Sequence, residues 1–135
     1  MQLLSLIQHA HVDKQCEIAI FISFTGDDGH IGSLYPNREE VLVDQNGPWV
    51  LCVPMKDPPS ITLSLPVMRG ASKIVVAACG VSDKYPKGKS AGMQRAIVDE
   101  ETLQSFPAAG LRGVATWVMD EAAASKLGNN YYSSS

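Results

Sequence analysis

The chain has 135 residues, of which 45% are hydrophobic and 19% charged, and its formal net charge is −3. This length and balance predict one globular domain with enough apolar material for a hydrophobic core. A net negative charge argues against nucleic acid or an acidic membrane surface as the main partner. No apolar run approaches the roughly 20 residues that a membrane-spanning helix requires, so we expect no membrane association.

The cysteines and the first residues bear on the cellular compartment. Three cysteines form no C-x-x-C pair, and an odd number without a pairing framework favours a reducing compartment. Cys52 and Cys79 stand in apolar runs and are expected to be buried. The opening residues have neither the basic start nor the small-residue cleavage pattern of a signal peptide. We therefore expect a cytoplasmic protein.

Apolar runs that alternate with helical patterns predict an α/β fold with a mostly parallel sheet. The first run and the fourth are continuously apolar, which is typical of strands covered on both faces. The last helical pattern begins with acidic residues and has Lys126 near its end, in agreement with the helix dipole. In chain order, the predicted strands are 17–24, 48–54, 60–65, 73–79 and 115–119, and the predicted helices are 66–72, 90–97 and 120–127.

A turn rich in glycine and acid follows the first predicted strand, over residues 26–30. In a parallel α/β sheet, ligands bind at the carboxyl ends of the strands, which is where this turn falls. Gly29 permits a tight turn that brings the Asp28 carboxylate to the His30 ring. Such a carboxylate fixes the imidazole tautomer and leaves the other ring nitrogen free to accept a proton from water. The alternative is an Asx turn with a solvated histidine, and the spacing alone leaves both readings open.

Between Arg69 and Arg95 there are six basic residues and a single acid, Asp83. Within this segment Lys89 precedes a predicted helix, where a lysine and backbone N–H groups suit a phosphate. A P-loop is excluded because Asp83 stands where that motif needs a glycine. A solvated basic face explains the segment equally well.

Other polar and aromatic residues give weaker signals. His9, His11 and Asp13 lack a further ligand at metal-binding spacing, so we expect no metal site. Trp49 and Trp117 stand in apolar runs and are expected to pack in the core.

Several motifs in the same order resemble the 6-phosphogluconolactonase family, within the sugar-phosphate isomerase/lactonase group. The family strand–turn motif reads approximately L-L-G-x-G-x-D-G-H-T-A-S-L-F-P. Downstream, "ITLSLPVM", "KIVVAACG" and "TWVMDEAA" are similar to later family motifs. The similarity runs over residues 17–127 and lacks the family's amino-terminal half, so it implies the carboxy-terminal part of a Rossmann-like domain. The strand–turn matches are Gly26, Asp28, Gly29, His30, Ser33, Leu34 and Pro36.

The resemblance implies one partial domain over 1–135, with an unassigned segment 1–16 and a flexible tail 128–135. It also implies hydrolysis of 6-phospho-D-glucono-1,5-lactone to 6-phosphogluconate, in the oxidative pentose phosphate pathway. An activated water and help for the developing oxyanion suffice for this reaction, so no metal or cofactor is expected. In the family pattern His30 is the general base, Asp28 is its orienting partner, and Gly26 and Gly29 belong to the substrate-binding turn. Lys89 matches the family lysine near the substrate phosphate, and the lengthened segment before it makes Lys87 or Lys84 the alternative.

Two alternatives remain. Glucosamine-6-phosphate isomerases share the D-G-H sequence, but Tyr35 stands where they place a glutamate. A non-catalytic remnant would bind sugar phosphates or a partner, and the apolar face of half a sheet would favour a homo-oligomer. Phe24 replaces a family glycine and is expected to narrow the sugar pocket.

Overall fold

A computed structural model of the chain describes residue 18 and the ranges 20–79, 81, 83 and 88–128. In this part of the chain no helix is long and apolar enough to cross a membrane. Some of the predictions above fall on residues outside these ranges, namely those for the segment 1–16 with its His9–His11–Asp13 group, for Lys84 and Lys87, and for the tail beyond residue 128.

A parallel sheet of three strands forms the centre of the fold. Its strands are β1 (Ile20–Phe24), β4 (Lys73–Ala78) and β5 (Thr116–Met119), in the order β1-β4-β5. The strands β2 (Val50–Val53) and β3 (Ser60–Leu63) instead form a separate antiparallel ribbon. The predicted α/β class with a mostly parallel sheet is therefore confirmed, with this ribbon as the departure from parallel order.

Three short α-helices connect and flank the strands: α1 (Leu65–Arg69), α2 (Ser90–Ile97) and α3 (Glu121–Ala124). The first ends at Arg69, earlier than predicted, and the Gly70 N–H closes its last turn by donating to the carbonyl of Pro66 at 3.0 Å. The third begins where Asp120 accepts a hydrogen bond from the Ala123 N–H, an N-cap that satisfies a helix donor. Two 3₁₀ helices, Glu39–Leu42 and Pro107–Leu111, complete the described elements.

All three α-helices pack on one face of the parallel sheet. The side chains of β4 that point to this face are buried, as its alternating burial pattern indicates. One core cluster joins Ile74 and Val76 to Leu65 and Met68 of α1. The other joins Ala78 to α2 and α3 through Met93, Ala96, Ala123 and Ala124.

The opposite face of the sheet is uncovered within the described residues. Its side chains belong to neighbouring, paired positions: Phe24 and Val118 both lie beside Ala77, and Ile22 lies beside Val75. Ile22 is 64% exposed, Phe24 66% and Val118 54%. The prediction that the first strand is covered on both faces is therefore wrong for this part of the chain, because the helices described here pack on the other side.

Two predictions of burial are also wrong. Cys52 and Cys79 are exposed, and for Cys52 the reason is that it pairs with Ile61 on the free face of the ribbon, where Ile61 is 60% exposed. Trp49 is 40% exposed, whereas Trp117 packs against both core clusters, as predicted.

Candidate active site

The turn at the carboxyl end of β1 is closed by its own backbone. The Gly26 N–H donates to the carbonyl of His30 at 3.2 Å, and the Gly29 N–H donates to that of Gly26 at 3.1 Å. The buried Thr25 hydroxyl donates to the same His30 carbonyl at 3.2 Å. Residues 26–30 therefore form a compact loop at the edge of the sheet where parallel α/β folds bind their ligands.

The segment after the loop anchors it to the core. Ile31 and Leu34 are fully buried and exchange two backbone hydrogen bonds, of 3.2 and 3.0 Å. Gly32, with φ +59, forms the corner between them. The Ser33 N–H then donates to the Thr62 hydroxyl of β3 at 3.2 Å, which joins the loop to the antiparallel ribbon.

The loop brings Asp28 and His30 into direct contact. Asp28 Oδ1 lies 2.7 Å from His30 Nδ1 and also accepts a hydrogen bond from the His30 backbone N–H at 3.1 Å. The arrangement is thus an Asx turn and a ring contact at once. The His30 side chain is 32% exposed and that of Asp28 is 50% exposed, so the pair is open to water and to a ligand.

The Asp28 carboxyl is held in its charged form. Partial burial by itself would raise its pKa, but the hydrogen bonds from the His30 backbone and ring, with the attraction of the ring's positive charge, leave the pKa below its ordinary value of 3.8. Its contribution to stability is therefore complete above pH 3.8 and is lost as the pH falls through the lower, folded-state pKa. When the imidazole is neutral, an ionised carboxylate at Nδ1 favours the tautomer with its hydrogen on that atom and its lone pair on Nε2.

Two glycines make this geometry possible, for different reasons. A Cβ at Gly26 would overlap the His30 ring and lie 2.6 Å from Asp28 Oδ1, so a side chain there would displace the pair. Gly29 has φ +85, and a Cβ there would lie 2.5 Å from the Phe106 ring, which is fully buried. Gly26 thus leaves room for the two functional side chains, and Gly29 leaves room for the core.

We expect Gly29→Ala to destabilise the whole domain rather than the site alone. The new alanine would have to adopt a left-handed backbone conformation. Its methyl group would also meet the buried Phe106 ring, which has no room to move away. The expected loss is roughly 2–4 kcal/mol of unfolding free energy, from strain and overpacking together. Urea unfolding of the two proteins measures it, and a change below about 0.5 kcal/mol would contradict the packing described here.

Lys89 lies beside the turn, at the start of α2. Its Nζ donates to the carbonyl of Thr25 at 2.9 Å. One turn further along the helix, a Cβ at Gly92 would lie 3.2 Å from the carbonyl oxygen of Asp27, so helix and turn are in close contact. The structure therefore brings Lys89 to the predicted site, with part of its hydrogen-bonding capacity directed to the backbone.

The other described basic residues of 69–95 point elsewhere. The Arg69 guanidinium donates to the carbonyl of Gly110, and Lys73 opens β4 at the opposite, amino edge of the sheet. Arg95 pairs with Glu101 at 2.7 Å and lies over the Phe106 ring. Among the described residues, the basic segment is thus not one continuous positive surface, because Arg69, Lys73 and Arg95 lie in different parts of the fold.

A cleft of about 510 Å³ opens beside the Asp28–His30 pair. The Tyr35 ring lines it and packs on the His30 ring, with centroids 4.8 Å apart. Sequence reasoning gave no role to most of its lining, and Phe24, expected to narrow the sugar pocket, is not part of it. The lining residues are Asp28, Tyr35, Pro36, Arg38, Glu40, Val53, Met55 and Lys56.

The fold and this site define a parallel α/β domain with a histidine–carboxylate pair at the carboxyl edge of its sheet. The family model described as glucosamine-6-phosphate isomerases/6-phosphogluconolactonase matches residues 5–119. The chain belongs to this family.

Two curated relatives are named as 6-phosphogluconolactonases, one of them as a probable one. The chain is 32% identical over 117 residues to the 6-phosphogluconolactonase of Homo sapiens, covering 80% of this chain and 41% of that protein. It is 36% identical over 109 residues to "Probable 6-phosphogluconolactonase 1" of Arabidopsis thaliana, covering 76% of this chain and 38% of that one. The chain therefore spans well under half the length of these relatives.

Solved structures agree on the fold. The 6-phosphogluconolactonase of Trypanosoma brucei aligns with a TM-score of 0.63 at 19% identity, covering 82% of this chain and 42% of that one. The enzyme of Leishmania guyanensis aligns with a TM-score of 0.61 at 22% identity, covering 95% of this chain and 50% of that one.

Proposed function

We propose that this chain catalyses hydrolysis of 6-phospho-D-glucono-1,5-lactone to 6-phosphogluconate, as the names of its curated relatives suggest. The main support is the 2.7 Å contact of the His30 ring with Asp28, a residue that lines an open cleft. Under this proposal the chain acts in the oxidative pentose phosphate pathway, in the cytoplasm. We also propose that residues 1–135 form one partial domain.

The mechanism that we propose uses His30 as a general base. Nε2 takes a proton from a water molecule while the water oxygen attacks the lactone carbonyl carbon, and the negative charge of Asp28 stabilises the imidazolium that forms. The tetrahedral intermediate then collapses, the bond from the carbonyl carbon to the ring oxygen breaks, and the imidazolium returns the proton to that oxygen. The ring has opened, and the acid formed ionises at neutral pH.

The remaining site assignments follow the same proposal. Gly26 and Gly29 shape the substrate-binding turn. Lys89 remains the predicted phosphate contact, because its ammonium has two N–H donors besides the one used at Thr25. Lys87 keeps its assignment as an alternative phosphate contact, outside the described residues.

A pH-stat assay of freshly prepared lactone tests the proposed function. The lactone also opens without a catalyst, so the matched control is the same solution without protein. We expect acid release that is faster than this control and saturates with substrate. Equal rates with and without protein, across the range of protein concentrations, would refute the proposal and leave the non-catalytic alternative.

The uncovered apolar face supports a second proposal, that two copies of the chain associate through it. Ile22, Phe24 and Val118 lie side by side on paired strands, each more than half exposed. Contiguous apolar surface of this kind is uncommon on monomers. The outer strands β1 and β5 also have unpaired edges among the described elements, which favours pairing between copies.

We expect the triple substitution Ile22→Thr, Phe24→Thr and Val118→Thr to weaken this association by at least tenfold in dissociation constant, since about 1.4 kcal/mol of apolar contact suffices for that change. Threonine keeps a strand-compatible side chain. Ile61→Thr, on the exposed face of the ribbon, is the matched control. Light scattering during gel filtration measures the mass, and a wild-type monomer at all concentrations would contradict the proposal.

A further inference from the structure

The Tyr35 ring packs on one face of the His30 ring. The two ring centroids lie 4.8 Å apart and the ring planes are inclined by 30°, a separation that is typical of favourable aromatic pairs. Asp28 contacts the edge of the same imidazole, through Nδ1 at 2.7 Å. Two side chains therefore contact the His30 ring, one at its edge and the other at its face.

The backbone on both sides of Tyr35 is anchored. Leu34, the residue before it, is fully buried. Pro36, the residue after it, favours an extended backbone at Tyr35 and disfavours a helical one. The Asn37 N–H then donates to the Gln104 carbonyl at 2.8 Å. The fold thus sets the position of the Tyr35 ring from both sides.

We propose that Tyr35 is a positioning residue for His30, whose imidazole it holds where Nδ1 meets Asp28 and Nε2 is available to water. This inference rests on the proposed function, in which His30 is the general base. An imidazole held only at its edge can change its χ1 rotamer, and a ring packed on its face opposes that motion. The His30 side chain remains 32% exposed, so water still reaches it.

The stacked ring also acts electrostatically in the proposed reaction. The face of an aromatic ring is negative and attracts a cation within about 6 Å of the ring centroid. At 4.8 Å, the Tyr35 face stabilises the imidazolium that forms when His30 Nε2 takes the proton from water. Because this contact strengthens as the proton moves, its loss should lower kcat more than it raises KM.

Tyr35→Leu removes the ring and keeps an apolar side chain. We expect kcat to fall roughly tenfold and KM to stay within about threefold of wild type, since orientation and the cation contact are lost together. Tyr35→Phe keeps the ring, so its kcat should stay within about twofold of wild type. Trp49→Leu is the matched control, because it removes a partly exposed aromatic side chain that does not line the cleft, and wild-type kinetics are expected.

NMR of the His30 ring protons tests the contact without requiring turnover. A proton over the face of an aromatic ring is shifted upfield by the ring current, and the His30 signals are identified by their absence from His30→Ala. We expect these signals to move downfield in Tyr35→Leu and to stay near their wild-type positions in Tyr35→Phe and Trp49→Leu. If Tyr35→Leu does not fold, Tyr35→Met provides the same test with a flexible apolar side chain.

Unchanged His30 signals in Tyr35→Leu, or a kcat within about twofold of wild type in that folded variant, would overturn the inference. A loss of about tenfold in Tyr35→Phe would also overturn it, because the hydroxyl group and not the ring would then be responsible. If the His30 signals change as expected but wild type hydrolyses no lactone, the proposed reaction fails while the orienting contact stands.

Discussion

We expect His30→Ala to lower the rate of lactone hydrolysis by roughly 10²–10⁴-fold, the usual contribution of a general base. The substitution removes the nitrogen that would accept the water proton, while the cleft keeps its charged residues. The reaction should approach its spontaneous rate. Initial velocities over a range of substrate concentrations measure the effect, which should fall on kcat more than on KM, because the base acts in the transition state.

Binding and folding controls separate this effect from structural damage. The His30 side chain is about one-third exposed, and its backbone N–H bond to Asp28 survives the substitution. Thermal unfolding and 6-phosphogluconate affinity should therefore stay close to wild type. A folded His30→Ala protein with more than about half the wild-type kcat would exclude this residue as the base.

We expect Gly26→Ala to reduce kcat by at least about tenfold while the fold stays stable. The new methyl group would overlap the His30 ring and approach Asp28 Oδ1 to 2.6 Å. Both obstructing groups belong to side chains that can rotate into solvent, so the protein should relieve the clash by separating the pair. A displacement of about 1 Å in a catalytic group is enough for losses of this size or larger.

Gly70→Ala provides the matched control for this change. Gly70 has φ −79, and a Cβ there would lie no closer than 3.4 Å to its nearest neighbour, the Pro66 carbonyl oxygen. It should therefore have wild-type kcat and stability. The NMR signals of the His30 ring should shift in Gly26→Ala alone, and an unperturbed ring with full activity would contradict the steric role of Gly26.

The parts of the molecule that sequence predicted well are those set by local pattern. The apolar run 73–79 became the central strand, and α2 begins and ends where the sequence placed it. The contact between Asp28 and His30 follows from a turn only five residues long. In each case neighbours in the chain determine the outcome, so the sequence contains the relevant information.

The parts that were missed depend on elements distant in sequence. The exposure of Ile22 and Phe24 depends on which face the helices cover, and a continuously apolar strand does not specify that. Arg38 and Lys56 line the same cleft although they are 18 residues apart in the chain. Arg38 stands two residues after Pro36, a proximity that could have drawn attention to it, whereas no local signal links Lys56 to the site.

A crystal structure of the chain with 6-phosphogluconate tests the central claim most directly, because that claim is the position of the Asp28–His30 pair relative to the reacting carbon. We predict that the product carboxyl group lies within hydrogen-bond reach of His30 Nε2, at roughly 3 Å or through one water, while Asp28 stays bonded to Nδ1. A product bound with its carboxyl group remote from that ring, or with the ring turned away from the cleft, would contradict the account.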